Sequence, residues 1–498
     1  MLMGMLEASA ERRGGSPAVT IADRSISYGE LVGIVDDLSA GLGDGGVHRR
    51  SKVAMILPNS EEFVASFFSL AAIGAAAVPL NPDFKDAELL YYLSEADIEH
   101  ILCASDSEQR FTRLVSSLER TVRVHALDAK RSSGIAGKVR GRGGSPGTER
   151  PDPDAMFLYL YSSGSTGRPK RVMRSQRQFV AETESVVSTW QTTPDDSFLC
   201  VIPLYHAHGL GNCMLAAMRS GSTLVIMKDP QPIMLKRMQL LELVEKAEAT
   251  VFPAVPFIFE TLLRGSQTAD LSSVRLCLAG GSPLARTTFD GFYEKYGIHV
   301  RQIYGSTETG LACINLDADP VPTCESVGRP LNGVDVKVVD EFGTPLPPMQ
   351  EGEVAIKAPG MTNGYFGMDE LNRKVFVDGY FHPGDMGRLD GEGRLFVTGR
   401  KRRVIEVVGR KVDPAIVEDA LCEHHSVSEV AVVGVEREKS GSEKMKAVIV
   451  LSSECTESEI RKFCLQRLAS FEVPQIIEFR ERLPRNEMGK IIRADLLD

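Results

Sequence analysis

The chain has little of what marks several common protein classes. Its nine cysteines, at 103, 200, 213, 277, 313, 324, 422, 455 and 464, include no C-x-x-C pair. Such scatter reads as buried or incidental thiols in a reducing compartment, so a cytoplasmic location is expected. No basic block stands out as a phosphate-backbone footprint and the net charge is −10, which argues against general nucleic-acid binding. The opening Met1-Leu2-Met3-Gly4-Met5-Leu6-Glu7 lacks the basic start and long apolar core of a signal peptide. Residues 63–80 form an uncharged stretch that could be mistaken for a membrane span. That stretch is rich in Ala and Ser, contains Gly74 and ends at Val78-Pro79-Leu80. A packed helix turning into a strand fits it better than a span.

What remains is an ordinary soluble composition on a long chain. At 498 residues it exceeds what one core usually fills, so two or more domains are expected. Residues 28–42 and 63–73 carry helical apolar spacing, and 52–57 and 75–80 read as buried strands. Strand patterns return at 198–202, 223–227, 250–252 and 274–278, with helices between them. Alternation of this kind predicts parallel sheet with covering helices. Residues 128–154 are Gly/Arg/Ser/Pro-rich and read as an exposed loop. Between 326 and 399 the pattern shifts to short strands and turns, predicting an antiparallel sheet or barrel. The last stretch predicts strands at 404–408, 429–435, 445–451 and 476–479, and helices at 414–424 and 457–469. Those elements suit a compact α+β unit able to fold alone.

The most informative segment is Tyr161-Ser162-Ser163-Gly164-Ser165-Thr166-Gly167-Arg168-Pro169-Lys170. Its glycines let the backbone turn N–H groups outward, and hydroxyls add donors on the same rim. Lys170 adds a mobile positive charge, so the loop suits a phosphate chain. The spacing differs from a Walker loop, which needs Lys followed by Ser or Thr after four residues between glycines. A flexible linker is the alternative, but Phe157-Leu158-Tyr159-Leu160-Tyr161 immediately before it reads as a buried strand.

Four further stretches follow in order: Tyr304-Gly305-Ser306-Thr307-Glu308, Gly384-Asp385, Gly399-Arg400, and Gly489-Lys490. Together with the loop they resemble the adenylate-forming superfamily of acyl-CoA synthetases, peptide-synthetase adenylation domains and firefly luciferase. The similarity runs from about Glu11 to the end. The resemblance implies an α/β fold class: a large N-terminal domain of two helix-flanked sheets plus a small β-barrel, and a smaller mobile α+β C-terminal domain. Residues 1–399 would form the first, 400–403 the hinge and 404–498 the second. It also implies ATP, Mg²⁺ and coenzyme A as cofactors and a small carboxylic acid as substrate. The expected activity is formation of acyl-AMP and transfer to the CoA thiol. Delivery to a carrier-protein thiol, or a single half-reaction, is the alternative. A carrier protein and a second copy of the chain stay open as partners.

Roles carry over residue by residue. The resemblance gives Ser162, Ser163, Gly164, Ser165, Thr166, Gly167 and Lys170 to the β- and γ-phosphates. It gives Thr307 and Glu308 to the α-phosphate and Mg²⁺, with Thr166 as a second metal ligand. Tyr304, Gly305 and Ser306 would line the nucleotide site, with the backbone of Gly280-Gly281-Ser282 opposite. Asp385 would accept from the ribose hydroxyls, Arg400 would contact ribose or phosphate, and Lys490 would bridge the carboxylate and the α-phosphate. His206, within Pro203-Leu204-Tyr205-His206-Ala207-His208-Gly209, would border the acyl pocket, where a buried structural His is the competing reading. No Asp stands there to pair a substrate ammonium, so an acid with an uncharged tail is favoured, fatty or aromatic.

Two departures stand out. Arg171 follows the loop lysine where relatives commonly have Gly, as either an added cation for phosphate or a solvated side chain. Glu406 stands where relatives usually carry Lys, in a segment that swings in for thioester formation, and Arg402 and Arg403 lie beside it.

Overall fold

The computed structural model describes residues 1–127, 151–162, 169–228, 230, 233–400, 405–407, 410–436, 443–469, 471–486, 489 and 491–497. The chain divides into two compact units, one of residues 1–337, 355–382 and 391–395, the other of residues 338–354, 383–390 and 396–498.

The first unit holds two sheets. One has six strands in the order Arg123–Leu127, His100–Ala104, Lys52–Ile56, Ala76–Pro79, Met156–Ser162 and Lys170–Ser175. Its neighbours are parallel except the last two strands, which form an antiparallel pair. Parallel neighbours need long crossovers, and helices Glu61–Ile73 and Asp86–Glu95 supply them. Such strands are covered on both faces and read as unbroken apolar runs: Val53, Ala54, Met55 and Ile56 are all buried. The expected parallel alternation is therefore found.

The other sheet has nine strands. Its centre, Val300–Ser306, Leu276–Ala279, Val251–Ala254, Ser197–Cys200, Thr223–Ile226 and Pro17–Ile21, is parallel. Gly310–Ile314 and Arg329–Pro330 continue one edge in antiparallel fashion, and Arg24–Ser27 closes the other. Side-chain caps fix the helix starts. Ser27 and Glu30 form a capping box on Tyr28–Asp44, and Ser175 and Gln178 form one on Gln176–Trp190. The helix Glu61–Ile73 is 13 residues long and nearly all buried, as a packed helix should be. Among the described residues no helix is long and apolar enough to cross a membrane. All nine cysteines are free, and seven are buried. A helix at Leu2–Arg13, which the sequence reading left unassigned, opens the chain.

The short strands expected between 326 and 399 are present, but among the described residues they close no small β-barrel. Asp335–Val339, Gly352–Lys357, Phe376–Val377, Tyr380–Phe381, Asp385–Leu389 and Leu395–Arg400 form an open sheet. Two of these strands are only two residues long, too short to carry the stagger that closure requires.

The second unit carries the predicted α+β elements. Val427–Glu436 pairs antiparallel with Glu443–Leu451, which runs parallel to Ile476–Phe479. Helices Pro414–Cys422 and Glu457–Arg467 contribute Val417, Leu421, Ile460 and Cys464 to a core with Val430, Val432, Met445, Ala447 and Ile449. Apart from Arg400, the hinge expected at 400–403 lies outside the described residues.

Candidate active site

The glycine-rich loop is the connection of an antiparallel hairpin, because the strand Met156–Ser162 pairs with Lys170–Ser175. Ser162 and Lys170 are register partners, so the two feet of the loop stand side by side. Ser163, Gly164, Ser165, Thr166 and Gly167 lie outside the described residues. Ser162 ends a strand whose other neighbour is parallel, and the carboxyl ends of such strands are where α/β sheets bind ligands.

Lys170 and Glu308 meet through a residue that sequence reasoning missed. The Tyr365 hydroxyl donates to Glu308 Oε1 at 2.7 Å, while Lys170 Nζ lies 4.9 Å from the Tyr365 ring centroid. Glu308 is 6% exposed and Tyr365 5%, so the bond is shielded from water. Thr362 N donates to the Glu308 carbonyl at 2.8 Å, fixing the backbone as well. Gly364-Tyr365 carries no motif strong enough to flag Tyr365 from the sequence; only the fold brings it to Glu308.

Thr307 and Glu308 sit in the turn joining Val300–Ser306 to Gly310–Ile314. Ser306 Oγ accepts from Thr309 N at 3.2 Å and tightens that turn. Gly310 has φ of 71°, and a Cβ there would strike the Glu182 carboxylate. Glu182 is itself buried, paired with Arg174, and accepts from Leu311 N at 3.3 Å. A buried ion pair thus backs the turn that carries Thr307 and Glu308.

Gly280, Gly281 and Ser282 follow the strand Leu276–Ala279, adjacent to the strand that carries Tyr304, Gly305 and Ser306. The structure so brings the two expected nucleotide segments to one edge. A Cβ on Gly280 would lie 2.7 Å from Ile303 Cγ1 and 3.2 Å from His208 Cε1, so only glycine permits this approach. His206 is partly exposed at the start of Ala207–Gly209 with its ring 5.0 Å from Tyr205. It is His208 that reaches Gly280, and burial holds its pKa down at about 4, followed by the nearby His206. The imidazole of His208 is accordingly neutral at pH 7, and its Nε2 is shut off from solvent.

In the second unit Asp385 is 6% exposed and accepts from Arg400 Nε at 2.7 Å. The resemblance named both residues; their mutual bond comes from the structure. Lys490, Arg402 and Arg403 lie outside the described residues. Glu406 is in the strand Ile405–Val407, with Lys411 as register partner. Arg171 is not solvated: it is 4% exposed, with Nε 3.5 Å from Glu95 Oε1.

The AMP-binding enzyme family matches residues 6–366, and the C-terminal domain of AMP-binding enzymes matches residues 416–490. The chain belongs to the AMP-binding enzyme family. Within that family it is 30% identical over 482 residues to 2-succinylbenzoate–CoA ligase of Bacillus cereus, covering 96% of this chain and 94% of the relative. It is 29% identical over 492 residues to indoleacetate–CoA ligase of Aromatoleum aromaticum, covering 97% and 94%. It also superimposes on the o-succinylbenzoate coenzyme A synthetase of Bacillus subtilis in complex with ATP and magnesium ion. There the TM-score is 0.83 at 26% identity, with 99% of each chain covered.

Proposed function

We propose that this AMP-binding enzyme is an ATP-dependent acid–thiol ligase. An acid oxygen attacks the α-phosphorus of ATP, the bond to the β-phosphate breaks, and pyrophosphate leaves. The thiol of coenzyme A, losing its proton, then attacks the acyl carbon, and AMP leaves. Charge builds on the transferring phosphoryl group and on pyrophosphate, so cations and donors fixed beforehand lower the barrier.

The observation that carries this reading is the Lys170–Tyr365–Glu308 cluster beside the feet of the loop. It supplies a cation for the departing phosphates and a buried carboxylate within one family fold. We assign Ser162, Lys170 and residues 163–167 between them to the β- and γ-phosphates. Thr307 is assigned to the α-phosphate, Tyr304 and residues 280–282 to adenine, and Asp385 with Arg400 to the ribose. Lys490 is assigned to the joined oxygens of acid and α-phosphate.

Mg²⁺ fits the donor set. Among the described residues the Glu308 carboxylate is met by a neutral hydroxyl, which leaves its charge for a hard cation. This ion commonly takes one or two carboxylates together with substrate phosphates. Glu308 would hold it, with Thr166 as the second expected ligand, and when bound it would neutralise charge on the triphosphate.

The names of the two relatives above denote aromatic acids, and we take an aromatic acid without an ammonium group as the first candidate. His206 is assigned to the acyl pocket. A reducing, cytoplasmic setting fits nine free thiols. The test is acid-dependent exchange of pyrophosphate into ATP, run across a panel of aromatic and fatty acids, followed by addition of coenzyme A. AMP release with thioester formation is the expected outcome. Exchange without thioester would move the acceptor to a carrier-protein thiol, and no exchange with any acid would overturn the reading.

A further inference from the structure

Arg171 is the residue whose surroundings the proposed chemistry leaves unexplained. It is the register partner of Tyr161, so the two residues stand opposite each other one step below the loop feet Ser162 and Lys170. Both reach the same residue on another element. Glu95, in the last turn of the helix Asp86–Glu95, accepts from the Tyr161 hydroxyl through Oε2. Its other oxygen lies 3.5 Å from Arg171 Nε, and its carbonyl accepts from Arg171 Nη1 at 3.3 Å. A single carboxylate therefore ties both strands of the hairpin to one helix end.

The guanidinium is gripped from other sides as well. Its Cζ lies 3.6 Å from the Phe366 ring centroid and 5.6 Å from that of Tyr159. The backbone of Phe366 donates to the Arg171 carbonyl at 3.1 Å. Phe366 directly follows Tyr365, whose ring meets Lys170. Only a planar, delocalised cation can stack on an aromatic face while pairing with a carboxylate in its plane, so Lys would not reproduce this arrangement. A buried cation of this kind is retained only when it is paired.

The geometry points to Arg171 as a positioning residue that, with Glu95 and Tyr161, clamps the feet Ser162 and Lys170 and so sets where Lys170 meets the β- and γ-phosphates. This inference rests on the reading of the loop as a triphosphate cradle. Arg171 itself touches no reacting atom; it acts through Lys170 beside it.

The test compares ATP with AMP, because AMP lacks the two phosphates that the loop would hold. Arg171→Gln should raise the KM for ATP and weaken ATP binding by about tenfold or more, since misplacing a positioned group by an ångström can cost a hundredfold. AMP binding and the KM for the acid should stay at the wild-type value. Glu95→Gln, which keeps an acceptor for Tyr161 but removes the ion pair, should give the same ATP-selective loss, and the double variant should lose little more than either single one. Arg171→Lys should recover part of the loss and, as the milder change, covers the case in which Arg171→Gln does not fold. Equal loss of ATP and AMP binding, or no loss of either, overturns the clamp. Because ATP and AMP binding are read without acid or thiol, a failure of ligase activity in the wild-type chain would sink the proposed reaction separately. A wild-type chain that binds neither nucleotide would sink both.

Discussion

The two carboxylates expected to serve the nucleotide are equally buried, Glu308 in the first unit and Asp385 in the second, each 6% exposed. Their donors differ. Glu308 is met by the neutral hydroxyl of a buried tyrosine, whereas Asp385 is met by the cation Arg400, whose side chain is 49% exposed. A neutral donor orients a carboxylate without cancelling its charge, which leaves Glu308 suited to a metal ion. A charged donor cancels most of the local field, which leaves Asp385 suited to hydroxyl donors, provided Arg400 can turn away. Arg400 is the first residue of the segment expected to act as a hinge, and a half-exposed arginine exchanges its partner for water at little cost. On this reading the first cluster would hold still and the second would change partners.

The contrast breaks most readily at Lys170. Lys170→Ala should lower the rate of acid-dependent pyrophosphate exchange by about 10²–10³, the usual loss for one preorganised group that stabilises charge in the transition state. Tyr365 would remain bonded to Glu308, so folding should be preserved, which a thermal melt would check. A loss under tenfold would remove Lys170 from the phosphate site. In the second unit the effects should be smaller and should separate within the pair. Asp385→Ala should raise the KM for ATP by about tenfold, the worth of one hydrogen bond to a charged group. Arg400→Ala should raise it by less than about threefold, because water can stand in for an exposed side chain. Equal effects from the two would mean that the pair acts as one fixed unit and would erase the contrast.

Much of this was legible before any fold was known, for a physical reason. Strands such as Lys52–Ile56 and Ala76–Pro79 are covered on both faces, so they appear as short apolar runs that nothing else explains. The loop and the turn bearing Glu308 depend on glycine and hydroxyl chemistry at fixed spacing, which sequence displays directly. What stayed hidden joins residues far apart. Tyr365 reaches Glu308 across 57 positions and Glu95 reaches Arg171 across 76, and neither pair leaves a local pattern. Of the two readings of Arg171 the solvated one fails, because charge alone suggests solvent whereas the fold encloses the side chain between aromatic rings. The barrel failed for the opposite reason: short strands were read correctly, but closure depends on length and stagger that a pattern of turns does not specify.

The smallest expected effect concerns stability and begins with a pair of histidines in the first unit. His125 on Arg123–Leu127 lies 2.9 Å, through Nε2, from Nδ1 of His100 on the neighbouring strand. Burial, then the charge of His100 and of Arg123, lowers the His125 pKa from 6.5 to about 4. His100 is lowered as well, chiefly by burial. Below pH 6.5 the unfolded chain takes up a proton that folded His125 refuses until about pH 4, so the unfolded state gains as acid is added. Stability present above pH 6.5 should therefore drain away across that window, seen as a melting temperature that falls steadily with pH. His125→Gln, which keeps a polar partner for His100 but cannot be charged, should flatten the slope. The second unit has its own depressed histidine, His424, held down by burial and then by His425. If His125→Gln leaves the slope unchanged while His424→Gln abolishes it, the acid-sensitive element belongs to the second unit instead. The rigid, pre-formed character assigned to the first unit would then have to rest on Tyr365 and Glu308 alone.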